Sequence, residues 1–215
     1  MWKARNVKSN PQLVTYAAKM RQHIAYGTDL QVDARFVDML ARRGSTVLDI
    51  GCGHGSAVSG LRARGHDAYG IDPSPEVLDV ALDNFDSEWF RELGVEGLSP
   101  QRLAELGIPN SYDIVFMAGN VPAFLPDEGL RHAFIEVSTL LKPGGLFVVG
   151  TSSHARGGPV DQDVAANTAC LALTQRFSDW HLGQYSGDSP WSVSVFVAPG
   201  EPTRSDTPDG IFILE

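Results

Sequence analysis

The sequence predicts an α/β fold of the doubly wound kind: a mostly parallel sheet with helices on both faces. Three observations carry this. Short runs rich in branched and aromatic residues alternate with segments of helical period through most of the chain, the pattern left by successive right-handed crossovers. The first two runs, "TVLDIG" (46–51) and "DAYGID" (67–72), flank one helix-sized segment, "SAVSGLRARG", closed by Gly65, and so form a β-α-β unit. Near the end, "RFSDWHLGQY" and "SVSVFVA" alternate in hydrophobicity around the turn-forming "SGDSPW" and read as an antiparallel hairpin.

The remaining elements follow in order. Leu13, Ala17, Met20 and Ile24 recur at helical spacing before Gly27, and Val32, Phe36, Met39 and Leu40 do so before Gly44, so the chain opens with two helices. After the β-α-β unit, Ser74 stands in a capping position and Pro75 in the first turn of the helix "PEVLDVALDNF". The segment 87–111 should hold a strand at Trp89–Leu93 or at Gly94–Leu98, between which its period does not choose. "YDIVFMAGN" (112–120) is a buried strand, "PDEGLRHAFIEVSTLL" an amphipathic helix, and "KPGG" a turn into the strand "LFVVGT". A Gly/Pro loop, "SSHARGGP", leads to a helix, "DQDVAANTACLAL", that contains Cys170. The tail "PGEPTRSDTPDG" has the composition of a mobile segment, and "IFILE" would suit an edge strand. With no repeat and no linker, the 215 residues fit one domain: a helical cap over 1–44, a core over 45–199 and a tail over 200–215.

Composition narrows the function. At 43% hydrophobic and 20% charged residues the chain has ordinary globular content. A net charge of -9, from 17 basic and 26 acidic residues, with no basic cluster longer than Arg42-Arg43, repels a polyphosphate, so no nucleic-acid partner is expected. Two cysteines, Cys52 and Cys170, suggest no disulfide framework and suit a reducing compartment. The start lacks a signal peptide's apolar stretch, and no apolar run approaches about 18 residues, so a cytoplasmic protein without a membrane partner, monomer or homodimer, is expected. No His or Cys spacing suggests a metal.

Ligands of doubly wound sheets sit beyond the carboxyl ends of the strands, where the turn after the first strand lies. Gly51, Gly53 and Gly55 in that turn permit close backbone approach and positive φ. Asp72, ending the second strand, can accept two hydrogen bonds from ribose hydroxyls. The nicotinamide fingerprint G-x-G-x-x-G/A fits badly, because its third position falls on Ser56. Asp49, two residues before the first glycine, would repel a pyrophosphate but suits an ammonium group. S-adenosylmethionine has a ribose, an amino group, a sulfonium and no phosphate.

"VLDIGCGHG", "GIDPSPEVL", "YDIVFMAGNVPAFL" and "LLKPGGLFVVG" follow one another from Val47 to Gly150, and through them the chain resembles the class I S-adenosylmethionine-dependent methyltransferases. It is most similar to their small actinobacterial-type members, through "YGTDLQVDARFVDML" and the "AGNV" of Ala118–Val121. The resemblance implies a Rossmann-like, seven-stranded sheet with the final strand antiparallel, S-adenosylmethionine as cofactor and a small-molecule acceptor. It implies that Asp49, Gly51 and Gly53 hold the methionine portion and Asp72 the ribose, with Cys52 and Pro73 also at the cofactor and Gly97-Leu98 the candidate for the adenine. Ala118, Gly119 and Asn120 would lie by the amino group and the transferring methyl. The opening helices would roof the site through Tyr16, Arg21 and Tyr26, Arg21 meeting the cofactor's carboxylate, unless that helix simply packs on the sheet edge. A base would help an acceptor that loses a proton; His154 and His54 are the candidates near the cleft mouth, though each reads more readily as a solvated loop residue, and Asn120 is a catalytic candidate beside the transferring methyl. Phe124 would pack beneath the next helix or face an apolar acceptor, with packing favoured, and Trp180 and Trp191 would serve the hairpin and core. Asn120-Val121-Pro122-Ala123 departs from the Asn/Asp-Pro-Pro-aromatic element of amino-type DNA methyltransferases. A protein acceptor, or a cofactor-binding protein without turnover, stands as the alternative.

Overall fold

The computed structural model describes residues 10–201. Two helices, α1 (Pro11–Ala25) and α2 (Val32–Leu40), precede β1 (Thr46–Ile50), α3 (Ser56–Ala63), β2 (Asp67–Asp72), α4 (Pro75–Asn84) and β3 (Phe90–Glu92). Then come α5 (Pro100–Glu105), β4 (Tyr112–Met117), the single turn α6 (Val121–Phe124), α7 (Asp127–Leu140) and β5 (Leu141–Ser152). The last elements are α8 (Pro159–Thr168), β6 (Ala172–Phe177) and β7 (Trp191–Val197). Seven strands lie in the order β3-β2-β1-β4-β5-β7-β6, and among them β7 runs antiparallel to both its neighbours. The order reverses between β1 and β4, which opens a crevice at the carboxyl ends of those strands.

Side chains of a strand alternate between faces, and the two cores divide accordingly. Leu48, Ile50, Val115, Met117, Phe147 and Val149 pack with α7 and α8. Val47, Ile114, Phe116 and Val148 pack with α2, α3 and α4, through Phe36, Val37, Val58, Leu61 and Leu78. Asp49 shares the side of β1 that carries Val47, and so faces the layer of α2 and α3.

Several sequence expectations shift. The strand in 87–111 is Phe90–Glu92, paired parallel with β2, while 95–97 forms a 3-10 turn. Phe90 decides this, because burial at 3% exposure anchors that register. On α2 the buried stripe is Ala34, Phe36 and Val37, and Met39 is 55% exposed. Ser74 stands at the start of α4 without a side-chain capping bond. "KPGG" is taken up within β5 as an irregularity opposite Tyr112/Ile114, with Lys142 paired to Asp113 at 2.8 Å. Helix α8 stops at Thr168, and Cys170 lies beyond it, exposed and at φ 56. The hairpin forms, but its first strand is Ala172–Phe177, and Trp180 sits in the loop, packed edge-on against Phe36. "IFILE" and most of the tail lie outside the described residues.

Candidate functional site

The turn leaving β1 is shaped by three glycines at positive φ: Gly51 at 80°, Gly53 at 51° and Gly55 at 76°. The Gly51 and Cys52 amides both donate to the Ile71 carbonyl, at 2.8 and 3.0 Å, which ties the turn to the end of β2. Gly55 has no room for a side chain, since a Cβ there would stand 2.7 Å from Ala81 and 2.8 Å from the Phe90 ring.

Asp72 bridges the two motifs. Its Oδ2 accepts from the Gly53 amide at 3.0 Å and its Oδ1 from the Ser74 amide at 2.8 Å, which fixes the carboxylate and leaves each oxygen a lone pair. Burial nevertheless raises its pKa, outweighing these bonds. Asp49 is 3% exposed and its Oδ1 has no partner. Burial, then Asp33 and Asp72, push its pKa well up. Asp33, in the first turn of α2, accepts from the Ala34 amide at 2.7 Å, and burial pushes it up to about 6.

These groups line one cavity of about 700 Å³ at the carboxyl ends of β1, β2 and β4. Of the residues expected at the site, Tyr16, Asp49, Gly51, Cys52, Gly53, Asp72, Pro73, Ala118 and Gly119 form its wall, as does His54. The His54 Nδ1 lies 2.9 Å from the Ser56 hydroxyl, and burial lowers its pKa, which favours the neutral ring. Burial also raises the Cys52 thiol, so it is no thiolate.

Other expected residues lie elsewhere. Arg21 pairs with Asp83 of α4 at 3.0 Å; Tyr16 and Arg21, five residues apart, are separated by about 140° around a helix and cannot both face the cavity. Tyr26 is 75% exposed. Leu98 is in the core, and the adjoining wall is made by Leu93, Val95 and Glu96 in place of Gly97-Leu98. Asn120, at φ 70, turns its side chain onto β5, where Oδ1 accepts from the Thr151 hydroxyl at 2.6 Å and the Ser152 amide at 2.9 Å. It positions the loop and does not line the cavity. His154 is exposed and outside the wall. Phe124 does not pack under α7: it is 75% exposed, at the cavity rim with Leu125.

Sequence reasoning missed Asp33. The signal was partial: residues 33, 36, 37 and 40 fall on one helical stripe with the buried Phe36 and Val37, but an acid in a helix's first turn is also ordinary. No Lys or Arg lines the cavity among the described residues, and no cluster of three metal-ligating groups occurs among them. A buried carboxylate lacking a partner, a fixed carboxylate with spare lone pairs and a glycine turn fit a ligand that brings an ammonium and a ribose.

A family model described as a methyltransferase domain matches residues 47–145. A ubiquinone biosynthesis O-methyltransferase of Azorhizobium caulinodans is 33% identical over 55% of this chain and 44% of its own length. A ribosomal protein L11 methyltransferase of Tolumonas auensis is 30% identical over 54% of this chain and 36% of its own. The chain thus spans less than half of either relative. A TehB-like SAM-dependent methyltransferase of Corynebacterium glutamicum superposes with a TM-score of 0.76 at 29% identity, over 88% of this chain and all of that one.

Proposed function

Because the chain belongs to the class I S-adenosylmethionine-dependent methyltransferases, we propose that it transfers a methyl group from that cofactor to a small-molecule acceptor. The observation that carries this reading is the buried Asp49 carboxyl, one oxygen unpartnered, between the glycine turn and Asp72 in a single cavity. In this reading Asp49 holds the cofactor's ammonium and Asp72 its ribose hydroxyls. Gly51, Cys52, Gly53 and Pro73 give the close main-chain contact, and Tyr16 covers the site and excludes water. The cofactor supplies an electrophilic methyl on a sulfonium. The protein's task is alignment, with Ala118 and Gly119 leaving room beside the methyl and Phe124 and Leu125 offering apolar contact to the acceptor.

An exposed phenylalanine at the mouth of a cavity supports an apolar small molecule, as does the likeness to a ubiquinone biosynthesis O-methyltransferase. The L11 relative raises the protein acceptor as the competing reading. A cytoplasmic location and no nucleic-acid partner belong to the same proposal, the latter supported by the net charge of -9; no helix among the described residues is long and apolar enough to cross a membrane. The test supplies methyl-labelled cofactor with a panel of phenols, alcohols and amines beside a ribosomal protein fraction. Label in a small molecule is expected. Label in protein alone would overturn the acceptor class, and intact cofactor binding without transfer to either would favour a binding protein without turnover.

A further inference from the structure

Asp33 is a cavity carboxyl that the reading above leaves without a task. It descends from α2 onto the face of the sheet that Asp49 also meets, since Asp49 and Val47 share the side of β1 covered by α2 and α3. Two carboxyls thus converge on one wall from different elements, and Asp33 raises the cost of ionising Asp49. Asp49 brings an oxygen with no partner, and Asp33 has one oxygen on its own helix's Ala34 amide. No Lys or Arg lines the cavity among the described residues to neutralise them, and burial holds His54 toward its neutral form. An arrangement that disfavours charge in the ligand-free protein becomes favourable when a cation enters.

Resting on the proposed cofactor, we propose that Asp33 is a second seat for its ammonium group, paired with Asp49, so that binding expels protons from the carboxyls. The neighbouring groups do not supply this linkage. Tyr16, from α1, has its phenol pKa raised and stays neutral. Asp72 is also raised by burial, but its carboxyl accepts from two amides and in the reading above meets uncharged ribose hydroxyls, which shift it far less than a cation would. His54 is pulled down toward its neutral form. Arg35 and Asp29, beside Asp33, are bonded to each other at 2.8 Å and exposed. Glu96 stands on the turn after β3. Asp33, at about 6 in the ligand-free protein, is partly protonated near that pH, Asp49 is shifted in the same direction, and an adjacent ammonium lowers both. Affinity therefore rises with pH toward the Asp33 value of about 6, where that residue's contribution levels, and the Asp49 shift acts in the same sense.

The test is calorimetric titration with S-adenosylhomocysteine, which carries the same ammonium, in buffers of different ionisation enthalpy between pH 5.5 and 8. The wild type should release protons, most at the acid end. Asp33→Asn should release fewer, bind about 10-fold more weakly at pH 7.5, and show a flatter dependence of affinity on pH. Asp33→Ser serves the same comparison should the amide variant not fold. Binding by the wild type without proton release, or variants that match it in release and affinity, would overturn the proposal while leaving the cofactor assignment intact. Failure of the wild type to bind at all would remove the assignment, and this inference with it.

Discussion

The wall that β1 and β2 give the cavity is held by main-chain hydrogen bonds, whereas the wall given by α1, α2 and the turn after β3 is held by packing. In the first, the Gly51, Cys52 and Gly53 amides all reach the end of β2, so the turn and Asp72 fix each other within one stretch of chain. In the second, Tyr16, Asp33 and Val95 arrive from three separate elements, and their places depend on how α1 and α2 dock on α4 and α3. The first wall is stiff and local, suited to gripping an invariant cofactor. The second is assembled from a distance, so what Tyr16 and Asp33 bring to the cavity depends on helix docking rather than on the local chain.

The sharpest way to break the contrast is Gly55→Ala. It forces an alanine to φ 76° and drives a Cβ to 2.7 Å from Ala81, at a cost of about 2–5 kcal/mol. A fall in Tm on the order of 10 °C is expected for a domain of this size; a fall within about 2 °C would show that the turn relaxes and is not stiff. Asp72→Ala should weaken S-adenosylhomocysteine binding about 10- to 150-fold, the worth of charge-assisted bonds. Unchanged affinity in a titration would remove Asp72 from the site.

Asp49→Asn should separate binding from stability. A carboxyl whose folded pKa lies above its unfolded value costs stability as pH rises from about 4 through the folded value, and both Asp49 and Asp33 are so shifted. Thermal melts without ligand should show the variant level with the wild type near pH 4, above it by pH 8, and yet weaker for the cofactor. Equal melts at both ends would mean that Asp49 ionises without strain. The smallest effect belongs to Arg21→Ala. Its pair with Asp83 is 43% and 62% exposed, so at most about 1 kcal/mol should be lost, with cofactor affinity untouched. A large loss of affinity would return Arg21 to the site.

The locally encoded wall is the part that was legible in the sequence. Strand, glycine turn, helix and strand-ending acid occupy one window, and their spacing alone places Asp49, Gly51, Gly53 and Asp72 together. The other wall was read less well because packing places it. Gly97-Leu98 looked suitable, but Leu98 is drawn into the core and Leu93, Val95 and Glu96 turn toward the cavity. Asn120 stands on the right loop, but a left-handed backbone there swings its side chain onto β5. Asp33 was legible only to a reader who phased α2 on Phe36 and Val37 rather than on Met39.

The most direct test of the account is a calorimetric titration of the protein with S-adenosylmethionine, S-adenosylhomocysteine and NAD in parallel. Micromolar binding of the first two, with none of NAD, is the predicted result. Binding of NAD alone, or of none of the three, would contradict the claim that the glycine turn with Asp49 and Asp72 is a site for S-adenosylmethionine.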